Sequence, residues 1–157
     1  MTSVVMKSQG TELYYASAPT VATKIAQIDT APDPLGGQHT EIDITTLDST
    51  EMESVSGLAN PTDKQFVMLW NSLDASHVAL LGLKTTGALT PWALGLSDGT
   101  VLPTVLTSAF VQTAVARSFI YFSAFVKDVV IKADKNSVLK ATVTLRVSGA
   151  STHVAHV

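Results

Sequence analysis

The chain has no cysteine, which excludes disulfide staples, thiolate metal sites and cysteine nucleophiles together. Charge is also scarce. Charged residues make up 15% of the 157, against roughly 25% in an ordinary soluble domain. Aromatics do not fill the gap, at 6%. There is no basic excess either: the formal net charge is −3, so the bulk positive field that drives phosphate binding is missing. Met1 to Gly10 holds one Lys and no apolar run, so no secretory leader is expected. The longest charge-free stretch, Gly99 to Ala116, carries Pro103, Gln112 and several Thr and Ser. That makes a poor hydrocarbon segment. A soluble protein, kept inside a cell until something releases it, is the expectation.

What is present points to β-structure. Hydrophobic residues reach 46% and the mean hydropathy is +0.29, which excludes a disordered chain. Thr and Ser, with 20 and 15 copies, take the place of charge. The length suits one domain spanning 1–157. So much uncharged surface exceeds what a free monomer needs, a first sign of an oligomer.

The charges are divided. Residues 1–80 hold ten acidic and three basic side chains, whereas residues 81–157 hold three acidic and seven basic ones. Between Ile25 and Asp63 there are eight carboxylates and no Lys or Arg. This segment is either an acidic face paired to basic strands of the same subunit, or a surface that repels a polyanion or docks on a basic face of the next copy.

Glu41 to Thr45 alternates as a half-buried strand does, and so does Leu139 to Ser148, ending at Gly149. Phe119 to Lys132 is apolar on both faces in its first half, which requires cover on both, from its own core and a helix or from a neighbouring subunit. Lys64 to Trp70 is similar. Asp98-Gly99, between Trp92–Leu96 and Val101–Val105, predicts a tight hairpin turn, with Pro103 placing the second strand at an edge or bulge. One helix is expected, capped by Asp74, running from Ala75 to Lys84 and ended by Gly87. Val78, Leu80, Leu81 and Leu83 surround most of it, which predicts little solvent exposure. Residues 31–37 form a turn, and residues 47–63 a long loop whose apolar side chains imply a function. The ends, 1–10 and 150–157, are expected to be flexible.

Signs of chemistry are few. His153 and His156 stand three apart, but with no Cys and no nearby carboxylate they read as a frayed end, not a metal site. His39 and His77 read as exposed or packed residues. There is no nucleophile elbow, phosphate-binding Gly loop or zinc-protease motif. The carboxylates lack aromatic sugar platforms that an acid–base glycosidase would use. No enzyme activity, cofactor or metal is expected.

Four segments, taken in order, carry a family likeness: Gly10 to Tyr15 as an opening strand; Glu41 to Thr50 as a strand leading into a long loop; the helix from Asp74 with Trp92 to Gly99; and Phe122 to Val126 with Lys140 to Gly149 as closing strands. Together they span most of the chain and resemble the major tail tube protein of long, non-contractile-tailed bacteriophages. The resemblance implies a β-sandwich or barrel with one flanking helix. It also implies subunits that self-assemble into hexameric rings, stacked into a hollow tube through which phage DNA passes. The implied partners are further copies of the chain, tail tip or initiator and terminator proteins, and a tape-measure protein in the lumen. The implied location is the virion tail, assembled in the host cytoplasm without a membrane.

On this reading a lumen that lets DNA slide should be acidic or neutral, and Glu41 and Asp43 are the candidates to line it. The ring-stacking loop would use Leu47, Asp48, Met52, Val55 and Leu58, becoming ordered when the next ring docks. With no extra domain after Gly149, surface decoration is not expected. Two other readings stand beside it: a tube protein of a contractile tail or secretion system, and a small β-sandwich ligand-binding module. An acidic-dyad hydrolase ranks behind both.

Overall fold

The computed structural model describes residues 5–157; residues 1–4 of the expected flexible end lie outside the described residues. The elements run β1 (Glu12–Ala18), β2 (Val21–Lys24), β3 (Ile28–Thr30), β4 (Gly37–Asp43), β5 (Ser54–Pro61), β6 (Asp63–Leu69), α1 (Ala75–Thr86), β7 (Thr90–Gly95), β8 (Val105–Leu106), β9 (Ala109–Phe110), β10 (Phe119–Lys132), β11 (Lys140–Val147) and β12 (Thr152–Val154). The chain is mainly β with one helix, as expected. No helix among the described residues is long and apolar enough to cross a membrane.

Seven strands form an antiparallel path, β2-β1-β7-β10-β11-β6-β3, and β12 joins it beside β10. The two ends of that path are consecutive in the chain, only three residues apart. The sheet therefore curls until its ends meet. In the linking residues the Ile25 N–H donates to Leu13 O, prolonging the β1–β2 ladder, and the Leu69 N–H of β6 donates to Gln27 O, prolonging the β3–β6 ladder, both at 2.9 Å. Gln27 takes a positive φ of 56° to turn between them. Ala26 is left with no strand on either side, and the start of α1 satisfies it. Its N–H donates to Ser76 Oγ at 3.3 Å, and His77 Nε2 donates to its carbonyl at 2.8 Å. His77 Nδ1 accepts from the Asn71 N–H at 3.0 Å, and these two backbone partners fix the imidazole tautomer.

Alternation sends Leu13, Tyr15, Trp92, Leu94, Ile120 and Phe122 inward, where they meet Phe66, Met68, Val143, Leu145 and Leu80 of α1. Tyr14, Ala93, Phe119 and Tyr121 point outward and are covered by Val105 and Phe110 of the β8–β9 hairpin. The two-faced apolar half of β10 is thus covered within the subunit, by the core on one face and a small hairpin on the other. Asp74 caps α1 through its carboxylate, which accepts from the Ser76 N–H at 2.9 Å, and Gly87 ends it at φ 62°.

Four expectations are corrected. Asp98-Gly99 does not turn a hairpin, because both edges of β7 are taken by β1 and β10. Asp98 instead accepts from the Ser118 N–H at 3.0 Å, at the start of β10. Gly99 is needed for close approach, since a Cβ there would lie 2.1 Å from Ala116 O. The two-residue hairpin turn is Thr107-Ser108, with φ of 53° and 64°. Helix α1 is less enclosed than expected: Leu80 is buried, but Val78 and Leu81 are exposed. The 47–63 segment is a loop only as far as Glu53, since Ser54–Pro61 is β5. The 150–157 end is not wholly free, because Thr152–Val154 pairs with Tyr121–Phe119 and continues the edge of β10 that β11 occupies.

Candidate functional site

Strands β4 and β5 stand apart from the main sheet as a two-stranded hairpin, with residues 44–53 at its tip. Every residue of β4 is exposed, and so is most of β5. A lone two-stranded hairpin is marginal in water. Its register sorts its side chains. Ile42 and Val55 are Cα partners, as are Glu41 with Ser56 and Asp43 with Ser54. The Ile44 N–H, donating to Glu53 O at 3.0 Å, carries the ladder one step further. Alternation then puts Ile42, Ile44 and Val55 on one face and Glu41, Asp43, Ser54 and Ser56 on the other.

The two lumen candidates thus share a face. Asp43 is held below the usual carboxylate range by the Thr45 hydroxyl and by the Thr45 N–H, which donates to it at 2.8 Å. The five stacking candidates are not brought together. Leu47 and Asp48 lie at the tip, while Met52 borders a hollow with Glu41, Asp43 and Ser54. Val55 is on the apolar face. Leu58 sits in a bulge opposite Thr40, where a Cβ on Gly57 would lie 2.4 Å from Thr40 Oγ1 and force that hydroxyl to move. Met52 is 86% and Leu58 87% exposed. The tip has its own order: the Glu53 N–H donates to Thr45 Oγ1 at 2.9 Å, and the Thr46 N–H to Ser49 Oγ at 3.2 Å. Beneath the arm lies a groove of about 530 Å³ between Leu35, His39 and Leu58 on one side and Gly149 to Ser151 on the other.

The acidic segment divides in two. Asp29 pairs with Lys140 at 3.1 Å, and Asp63 with Arg146 at 3.2 Å and with Lys127. Among the described residues, Glu41, Asp43, Asp48, Glu51 and Glu53 of the arm form no ion pair, which leaves the arm uniformly negative. No group of three or more His, Asp or Glu that could hold a metal occurs among the described residues.

Sequence reasoning missed Arg117. It is 1% exposed, and its guanidinium donates to Glu12 Oε2 at 2.9 Å, Gly10 O at 3.0 Å, Gly95 O at 3.2 Å and, through Nε, Leu96 O at 2.7 Å. A Cβ on Gly95 would lie 2.8 Å from its Cζ. The signal was available: a lone cation at the mouth of the most apolar strand of a charge-poor chain.

A family model described as phage tail tube, TTP, lambda-like matches residues 4–157. "Structural protein 3" of Pseudomonas phage PAJU2 is 31% identical over 156 residues, covering 92% of this chain and 91% of that protein. The SPP1 tail tube structure superposes with a TM-score of 0.70 at 9% identity, covering 98% of this chain and 81% of that one. The tail of an empty gene transfer agent particle, solved with C6 symmetry, superposes with a TM-score of 0.66 at 10% identity over 96% and 100% of the two chains. At such low identities the two structures show a shared fold.

Proposed function

The chain belongs to the lambda-like phage tail tube family and is a structural protein of the virion tail, and from that premise we propose how its parts divide the work. Six copies close into a ring, and rings stack through the β4–β5 arm, whose tip and base carry Leu47, Asp48, Met52, Val55 and Leu58. The observation behind this is the arm itself, a detached, exposed hairpin with an unpartnered apolar row. Packed on another copy, Ile42, Ile44 and Val55 leave water, each side chain contributing on the order of 1–2 kcal/mol.

The opposite face, with Glu41 and Asp43, looks into the lumen. A carboxylate that stays ionised repels phosphates and keeps passing DNA unbound, where a line of cations would hold it. The ring number follows the C6 symmetry of the gene transfer agent tail. Initiator, terminator and tape-measure proteins are the partners at the ends and in the bore, and assembly takes place in the host cytoplasm. Electron microscopy of the purified protein across a concentration series, with sedimentation alongside, tests the reading. Hollow tubes of uniform width are expected, seeded with tail fragments if nucleation is slow. A protein that stays monomeric even on seeds overturns it.

A further inference from the structure

The arm leaves the body at one end of the β6–β11–β10 ladder. Pro61 ends β5, and two residues on Asp63 pairs with Arg146 at the start of β6. From there β6 runs to Leu69, which faces Lys140, and Lys140 faces Lys132 of β10. Six strand steps, about 20 Å, therefore separate the root of the arm from the β10–β11 turn at residues 133–139. That far end has the opposite character to the arm. Lys132 and Lys135 rise from it, and Val138 and Leu139 are exposed, as is Leu73 in the turn that follows β6. Lys132 has only a loose contact with Asp134 at 3.9 Å, and Lys135 forms no ion pair among the described residues. Lys140 is already matched by Asp29.

Resting on the stacking reading above, we propose that the β10–β11 turn of one subunit is the seat for the acidic arm tip of a copy in the neighbouring ring. Val138, Leu139 and Leu73 receive the apolar tip residues, and Lys132 and Lys135 meet Glu51, Glu53 and Asp48. Two features favour this occupant. The arm carries five carboxylates without an ion pair, and the turn carries Lys135 without one and Lys132 held only by Asp134 at 3.9 Å. They also sit at opposite ends of one ladder, so joining one to the other gives a head-to-tail contact that repeats without closing.

The test is a charge exchange. One variant carries Glu51→Lys with Glu53→Lys, the other Lys132→Glu with Lys135→Glu. Elongation of each is followed by sedimentation and electron microscopy on seeds of isolated tail, with a thermal melt confirming the fold. Alone, each variant juxtaposes like charges and elongates at least roughly tenfold more slowly than wild type. Mixed in equal amounts, each arm meets a complementary seat and tubes return. If the arm variant fails alone but neither the mixture nor a single protein carrying all four substitutions recovers, the seat lies elsewhere and arm stacking stands. If the arm variant elongates normally, arm stacking fails as well. A second readout uses the absence of cysteine: Met52→Cys protein mixed with Val138→Cys protein gives a disulfide-linked dimer in oxidised tubes, and tubes without that dimer overturn the proposal.

Discussion

Arg117 and Glu12 meet at 2.9 Å across 105 positions of sequence, and the pair fastens the first strand of the sheet to the mouth of its longest one. Arg117 is buried whereas Glu12 keeps 26% of its side chain exposed, so the cation is the member that cannot be left alone. Arg117→Met removes the charge and takes away the donors that the guanidinium gives to the carbonyls of Gly10, Gly95 and Leu96. Glu12 keeps Lys24 and Tyr14 as partners, so the cost is that of the lost hydrogen bonds and packing at the node, about 1–3 kcal/mol. A urea melt of the variant should shift by that amount; a shift below about 1 kcal/mol would mean the node is incidental.

The same node sets a pH dependence. Burial alone would raise the Glu12 carboxyl, but hydrogen bonds from Lys24, Tyr14 and Arg117 outweigh it and hold the group at about 2, against 4.5 in the free side chain. A depressed carboxyl stabilises the fold above its unfolded value and loses that contribution as pH falls. Stability should therefore drop between pH 4.5 and about 2, by on the order of 2 kcal/mol since Lys24 is open to solvent. Tyr14 mirrors it: burial and the Glu12 carboxylate push the phenol up to about 12 from 10.0, so its contribution is lost as pH rises across that range. In Glu12→Gln the acid limb should flatten, which chemical melts from pH 2 to 7 would read.

Thr107 and Ser108 both take left-handed φ in the turn between β8 and β9. Neither suits that region, and Thr is β-branched as well. Thr107→Asn with Ser108→Gly should raise stability by about 1 kcal/mol or more without changing assembly. A lowered melting temperature would show that the turn is held by contacts of those side chains.

Met52→Asp with Leu58→Asp alters two side chains that the single subunit leaves almost wholly in water. Thermal stability should stay within about 0.5 kcal/mol of wild type, while elongation on seeds stops. Wild-type tubes from this protein would remove the arm from ring stacking.

Glu41→Lys with Asp43→Lys reverses the proposed lumen face and leaves the Ile42–Val55 face intact. Tubes should form, but particles carrying them should release DNA slowly, with the delay easing as salt rises. Release at the wild-type rate would place these residues away from the bore.

Much of this architecture could be read along the chain because it is local. Asp74, the apolar run after it and Gly87 specify α1 through capping chemistry that acts within a few residues. Phe119 to Lys132 declared its strand by composition, and Lys140 to Val147 by alternation. What failed was non-local. Asp98-Gly99 is a strong turn signal, yet the partners of β7 come from the two ends of the chain and leave no edge for a hairpin. Arg117 was passed over because nothing near it in sequence is acidic; Glu12 reaches it only after β1 and β10 are set on either side of β7. The arm was half legible. Glu41 to Thr45 announced the second half of β4 (Gly37–Asp43), but its alternation read as half-buried where every residue of β4 is exposed in the subunit; Ser54–Pro61 has Gly57, Asn60 and Pro61 in its run and too few β-formers to show itself without its partner.

The arm and the β10–β11 turn occupy opposite ends of one ladder, so a stack joined through them has polarity. On that proposal one rim of the finished tube would present a crown of free acidic tips, and the other a crown of vacant lysine-bearing seats. Growth is then vectorial, each new ring reading only the rim that faces it. A protein that starts the tube and one that stops it cannot share a binding chemistry: one must offer cations and apolar sockets, the other carboxylates and apolar side chains that protrude.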